Sequence, residues 1–130
     1  MALCASAAAA DPCKAIPDRG PMPPELAPGR VFAGPVVYVG DGDSLCVALG
    51  AAPDGWVEVR LADVYAPELH EAEGAAAKLA LEHIVTGRRL ECVAGRRTYD
   101  RVAATCRLDG RLLSDRLRAA GAPVGGRGRR

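Results

Sequence analysis

Five short segments with strand character, broken once by a stretch with helical period, limit what this chain can fold into. Trp56-Val57-Glu58-Val59-Arg60-Leu61 alternates strictly, with Trp56, Glu58 and Arg60 on one face and Val57, Val59 and Leu61 on the other. Before it, Phe32 to Val39 and Leu45 to Leu49 are β-branched or apolar runs separated by Gly40-Asp41-Gly42-Asp43, a turn composition that permits positive φ at the glycines. After it, Glu71 to Thr86 reads as a helix. Acids occupy its first turn, Ala77, Leu81, Ile84 and Val85 recur on one face, and Gly87 stops it. Arg89 to Val93 and Val102 to Leu108 are two further strands, the second ending at the turn dipeptide Asp109-Gly110. Ser114 to Ala120 is a short terminal helix closed by Gly121. The order β-β-β-α-β-β-α predicts a β-rich α+β fold: a five-stranded OB-type barrel with a helix after strand three and a short C-terminal helix.

At 130 residues the chain holds one compact core and is too short for two ordinary domains. Residues 31–123 are the expected domain. Met1 to Ala10 is similar to a signal-peptide remnant, with Ala8-Ala9-Ala10 fitting a small-residue cleavage site but no basic segment before it. Residues 11–30 contain six prolines (Pro12, Pro17, Pro21, Pro23, Pro24 and Pro28), which forbid regular helix and central strand and predict an extended arm. Residues 124–130, ending Gly125-Gly126-Arg127-Gly128-Arg129-Arg130, are expected to form a solvated Gly/Arg tail. No apolar run is long enough to cross a bilayer, and a monomer is expected.

Five cysteines without any Cys-x-x-Cys spacing favour disulfides over a zinc site. With Cys4 in the leader-like stretch, Cys13, Cys46, Cys92 and Cys106 form an even set compatible with two bridges, in any of three connectivities. That usage points to an oxidising compartment, secreted or periplasmic; free thiols in a cytosol are the competing reading. The net charge is only +1, so overall charge does not announce a nucleic-acid binder. Its distribution says more. Arginines crowd the C-terminal part (Arg88, Arg89, Arg96, Arg97, Arg101, Arg107, Arg111, Arg116, Arg118), and acids dominate around Asp41, Asp43, Asp63, Glu68, Glu71 and Glu73.

Several of these residues have the types that phosphodiester hydrolysis requires. Asp43 can hold a hard divalent cation, Glu68 after Pro67 can take a proton from water, and Arg60 and Arg101 can grip phosphate oxygens bidentately. Each has a plainer alternative. Asp41 and Asp43 can be turn formers, Arg60 can pair with Glu58 on its strand, and Glu68 can begin the helix. His70 and His83 have no metal-site spacing, and Trp56 reads as a packing residue at the barrel rim.

Three segments, Val39-Gly40-Asp41-Gly42-Asp43-Ser44-Leu45, Val59-Arg60-Leu61-Ala62-Asp63-Val64-Tyr65-Ala66-Pro67-Glu68 and Tyr99-Asp100-Arg101-Val102-Ala103, resemble the staphylococcal nuclease family in order and spacing. The resemblance spans roughly Phe32 to Pro123. It implies a metal-dependent nuclease of low sequence specificity acting on DNA or RNA, with Ca²⁺ or another divalent cation as cofactor. It further implies Asp43 as a metal carboxylate, the Ala66 carbonyl as a backbone ligand, Glu68 as base, Arg60 and Arg101 as phosphate clamp, and Tyr99 as a phosphate contact. Cys92 and Cys106 fall where the family pattern has inward residues of neighbouring strands. The resemblance thus implies a Cys92 to Cys106 bridge, which leaves Cys13 for Cys46.

One departure cuts against activity. Where the family pattern reads Asp-x-Pro-Glu, this chain has Tyr65-Ala66-Pro67-Glu68, and a neutral phenol removes an anionic ligand on which Ca²⁺ affinity depends. Asp63 or Asp41 could compensate. The family's C-terminal helix and stacking aromatic residue also have no counterpart in this sequence, which implies a more open nucleotide pocket. Two rivals to an active enzyme follow. One is a barrel of low or no turnover that binds nucleic acid or a protein partner; the other is a disulfide-stapled structural domain.

Overall fold

Strands close on themselves in this molecule, as the element order predicts. The computed structural model describes residues 12–17 and 19–124, so the leader-like stretch 1–10 and the Gly/Arg tail from 125 onward lie outside the described residues. The elements are β1 (Val31–Asp41), β2 (Ser44–Ala48), β3 (Trp56–Leu61), α1 (Gly74–Val85), β4 (Arg89–Thr98), β5 (Arg101–Leu108), β6 (Arg111–Leu112) and α2 (Leu113–Ala119). Hydrogen bonding runs β3-β2-β1-β4-β5-β6, and a parallel pairing of β3 with β5 closes the first five strands into a mixed barrel. Closure leaves fewer unpaired edges than an open sheet of the same strands would have.

The alternation read in Trp56–Leu61 is the alternation observed: Val57, Val59 and Leu61 are fully buried, and Trp56, Glu58 and Arg60 face outward. Leu45 and Val47 of β2, Leu90 of β4 and Val102 of β5 meet them in the interior, capped by Leu81 and Val85 of α1 and Leu117 of α2. Each such side chain contributes roughly 1.5–3 kcal/mol by leaving water.

Four local expectations are corrected. Helix α1 begins at Gly74, three residues later than its composition suggests. Glu71 accepts the Glu68 backbone N–H on its own carboxylate, and Glu73 adopts a left-handed conformation with φ 72°, so the acids form a looped entry rather than a first turn. Strand β4 continues to Thr98 past a bulge between Ala94 and Arg97, where polarity had suggested that it ended at Val93. The Gly40-Asp41-Gly42-Asp43 turn does not place its glycines at positive φ. The proline-rich segment is more than an extended arm: it makes a short 3-10 turn at Pro24–Leu26 and buries Ile16 and Leu26 in the barrel's core.

Both bridges are present, Cys13 to Cys46 and Cys92 to Cys106. The second joins directly paired residues of β4 and β5. The first pins the arm, which also donates Lys14 N–H to the Pro53 carbonyl and Ala15 N–H to that of Trp56, both at 3.0 Å. Arg97 adds a latch, its guanidinium donating to the backbone carbonyls of Pro17 and Gly20.

Candidate phosphate-binding cleft

Strand register brings the arginines together. Arg60 on β3 lies opposite Ala103 on β5, and Arg101 sits two residues back along β5, paired with Thr98 of β4. The turn between β4 and β5 is only Tyr99-Asp100, and Tyr99 is held at φ 59° while its carbonyl accepts the Arg97 Nε–H at 2.7 Å. This contact accounts for a non-glycine residue in the left-handed region. Between β3, β4 and β5 opens a cleft of about 700 Å³ lined by Arg60, Arg96 and Arg101, by Thr98 and Thr105, and by small residues including Ala62, Gly95 and Ala103. Small side chains and guanidinium groups share the lining.

Charge in the cleft is uneven. Arg60, with 12% of its side chain exposed, lies 3.6 Å from the Asp43 carboxylate, whose side chain is only 2% exposed, and it donates to the Leu61 carbonyl at 2.6 Å. Arg96 and Arg101 form no ion pair with any carboxylate among the described residues. Thr98 buries its hydroxyl without a hydrogen-bond partner. Among the described residues the cleft thus presents two cations without a carboxylate partner and one, Arg60, facing Asp43, an arrangement that favours an anion with several oxygens.

The acids are placed differently. Asp43 accepts the Ala66 N–H at 3.2 Å, which brings it beside the backbone that the resemblance singled out. Gly42 makes this approach possible, because a Cβ there would stand 2.7 Å from the Cβ atoms of both Ala66 and Ala77. Turn, loop and helix α1 therefore meet at Gly42, and glycine is needed for closeness rather than for positive φ. Gly74 does the same for the Glu68 loop, since its Cβ would fall 2.0 Å from the Glu68 carbonyl oxygen. Glu68 itself is half-buried and is not among the residues lining the cleft. Tyr99 is 83% exposed at the hairpin tip and also lies outside that lining.

Asp41 and Asp63 are committed elsewhere. Asp41 caps its own turn, accepting the Asp43 N–H at 3.2 Å and the Ser44 hydroxyl at 2.8 Å. Asp63 accepts the Ser114 hydroxyl of α2 at 2.7 Å, and its backbone carbonyl accepts a hydrogen bond from the Arg118 guanidinium at 3.2 Å. Among the described residues no three of His, Cys, Asp and Glu gather closely enough to hold a metal ion. Ca²⁺ takes about six to eight oxygens, several of them anionic. One carboxylate already facing a guanidinium, one backbone position and a neutral Tyr65 do not fit a resident calcium ion.

Sequence reasoning placed Arg60 and Arg101 in one site, and the structure brings them to one cleft. Arg96 and Thr98 had been given no role. The signal that could have found them is the length of β4, hidden by the polar run Arg96-Arg97-Thr98. Trp56 donates its indole N–H to the Gly50 carbonyl at 3.1 Å and holds the β2–β3 connection, as a rim residue does. No protein-family model matches the chain and no curated protein is similar to it.

Proposed function

We propose that the protein grips the phosphodiester backbone of DNA or RNA in the arginine cleft, without reading sequence. The observation that supports this most directly is the convergence of Arg60, Arg96 and Arg101 on one cleft, two of the three without a carboxylate partner among the described residues. Guanidinium forks match phosphate oxygens and carry no base information, so binding is salt-dependent and indifferent to sequence. The two disulfides suit a secreted or periplasmic site of action, where such bonds persist.

A second reading, hydrolysis of the gripped strand, is favoured by one contact: Asp43 and the Ala66 backbone stand together beside Arg60. On this reading Glu68 accepts the proton of the water that attacks phosphorus, Arg60 and Arg101 stabilise the charge that gathers on the non-bridging oxygens, and the P–O bond to the leaving sugar oxygen breaks as that oxygen takes a proton from solvent. The donor set argues for weak or absent turnover.

Both readings are tested by titrating labelled single-stranded DNA and RNA with the oxidised protein in chelator, then assaying cleavage with Ca²⁺ and with Mn²⁺ beside Glu68→Gln. Salt-sensitive binding with no cleavage supports the grip alone. Metal-dependent cleavage lost in Glu68→Gln establishes the nuclease. Absence of binding in both polymers at low salt overturns both and leaves the structural-domain reading.

A further inference from the structure

The arginine cleft suits one half of a nucleotide, the phosphate. A second hollow, of about 560 Å³, is lined by Tyr65, Pro67, Glu71, Ala72 and Pro123. Its chemistry is the opposite of the cleft's. Among the described residues no cation lines it; the charged group there is the Glu71 carboxylate, beside an aromatic ring, two proline rings and a methyl group. A phosphate would be repelled there. A flat heterocycle with N–H donors on its edge would find a ring to stack on and a carboxylate to accept its protons.

Tyr65 is presented for this by the chain around it. Val64 and Ala66 on either side are buried, while Tyr65 itself is 38% exposed. Glu71 is oriented by accepting the Glu68 N–H at 2.6 Å. The two hollows are joined through a short stretch of chain: Ala62 lines the cleft and Tyr65 the second hollow, a span of at most about 10 Å. The neighbour of the ring, Ala66, is bonded to Asp43, which pairs with the cleft's Arg60.

We propose that the Tyr65 hollow receives a nucleobase from the strand whose phosphate lies in the arginine cleft, the base stacking on the Tyr65 ring. This rests on the reading of the cleft as a phosphodiester grip. It makes the ligand single-stranded, because a base paired and stacked in a duplex cannot reach the ring, and it joins the two elements that bind single strands, a positive groove and an aromatic face.

The test compares an ordinary single-stranded oligonucleotide with an abasic one of equal length, by fluorescence anisotropy in chelator, using the oxidised full chain and the variants Tyr65→Ala, Tyr65→Phe and Arg101→Ala. The wild type is expected to prefer the base-bearing strand. Tyr65→Ala should weaken that strand about tenfold and leave the abasic strand unchanged, while Tyr65→Phe, which keeps the ring, should retain the preference for the base-bearing strand. Arg101→Ala should weaken both strands equally. Equal wild-type affinity for the two strands, or equal loss of both in Tyr65→Ala with Tyr65→Phe unaffected, overturns the base site while leaving the phosphate grip standing. Failure of both strands to bind, or indifference of both to Arg101→Ala, overturns the grip and the base site with it.

Discussion

The wall formed by β3, β4 and β5 and the loop from Ala62 to Glu73 carry the two halves of the expected site, and they place its residues differently. On the wall, positions are set by strand register, with Arg60 opposite Ala103 and Arg101 opposite Thr98, and β4 is bridged to β5 through Cys92 and Cys106. On the loop, Asp63 and Glu71 are held by separate partners, Asp63 by Ser114 of α2 and Glu71 by the Glu68 backbone, while Asp43 reaches in from the β1–β2 turn to Ala66. A regular pairing repeats its geometry along a strand, so cations placed on it converge. A loop satisfies its polar groups one at a time, and its carboxylates disperse. The difference teaches that convergence of the arginines and convergence of the acids are separable, and that here the arginines are the better gathered.

The largest expected effect breaks the wall. Replacing Cys92 and Cys106 together by alanine removes a bridge with a sequence separation of 14 and should cost about 3 kcal/mol in urea unfolding; a loss near zero would mean that register alone holds the wall. Next comes the loop. Gly42→Val must push apart Ala66 and Ala77, so about 1–3 kcal/mol of stability should be lost, with the loss visible as altered amide signals of Ala66.

Within the cleft, Arg101→Ala should weaken single-stranded DNA about tenfold and reduce the salt dependence of log Kd by about one unit. Asp43→Asn should act in the opposite direction. With the Asp43 negative charge removed from beside Arg60, the cleft becomes more positive, so DNA binding should tighten severalfold while any metal-dependent cleavage is lost. The smallest effect on binding belongs to Asp63→Ala, which should leave DNA affinity unchanged and cost about 1 kcal/mol through the unpaired Ser114 hydroxyl. A change in metal-dependent cleavage in Asp63→Ala would reinstate Asp63 as a ligand and dissolve the contrast between wall and loop.

Sequence alone determined the five strands of the barrel, the inward face of β3 and the inward face of α1 from Ala77 to Val85, but not the full length of β4, the short β6 or the ion pair of Arg60 with Asp43. The features it determined follow from period and residue type, which are local properties. It missed what depends on the approach of distant segments. Helix α1 starts late because Gly74 must pack on the Glu68 carbonyl, and Gly42 is glycine because Ala66 and Ala77 converge on it. The proline-rich arm looked extended, since nothing in its own composition reveals that the barrel has room for Ile16 and Leu26. Asp41, Asp43 and Asp63 were equivalent as letters. Only the tertiary structure decided that one faces Arg60, one closes its own turn and one ties down α2, because a carboxylate's role is fixed by which donor reaches it first, and those donors come from up to 51 residues away.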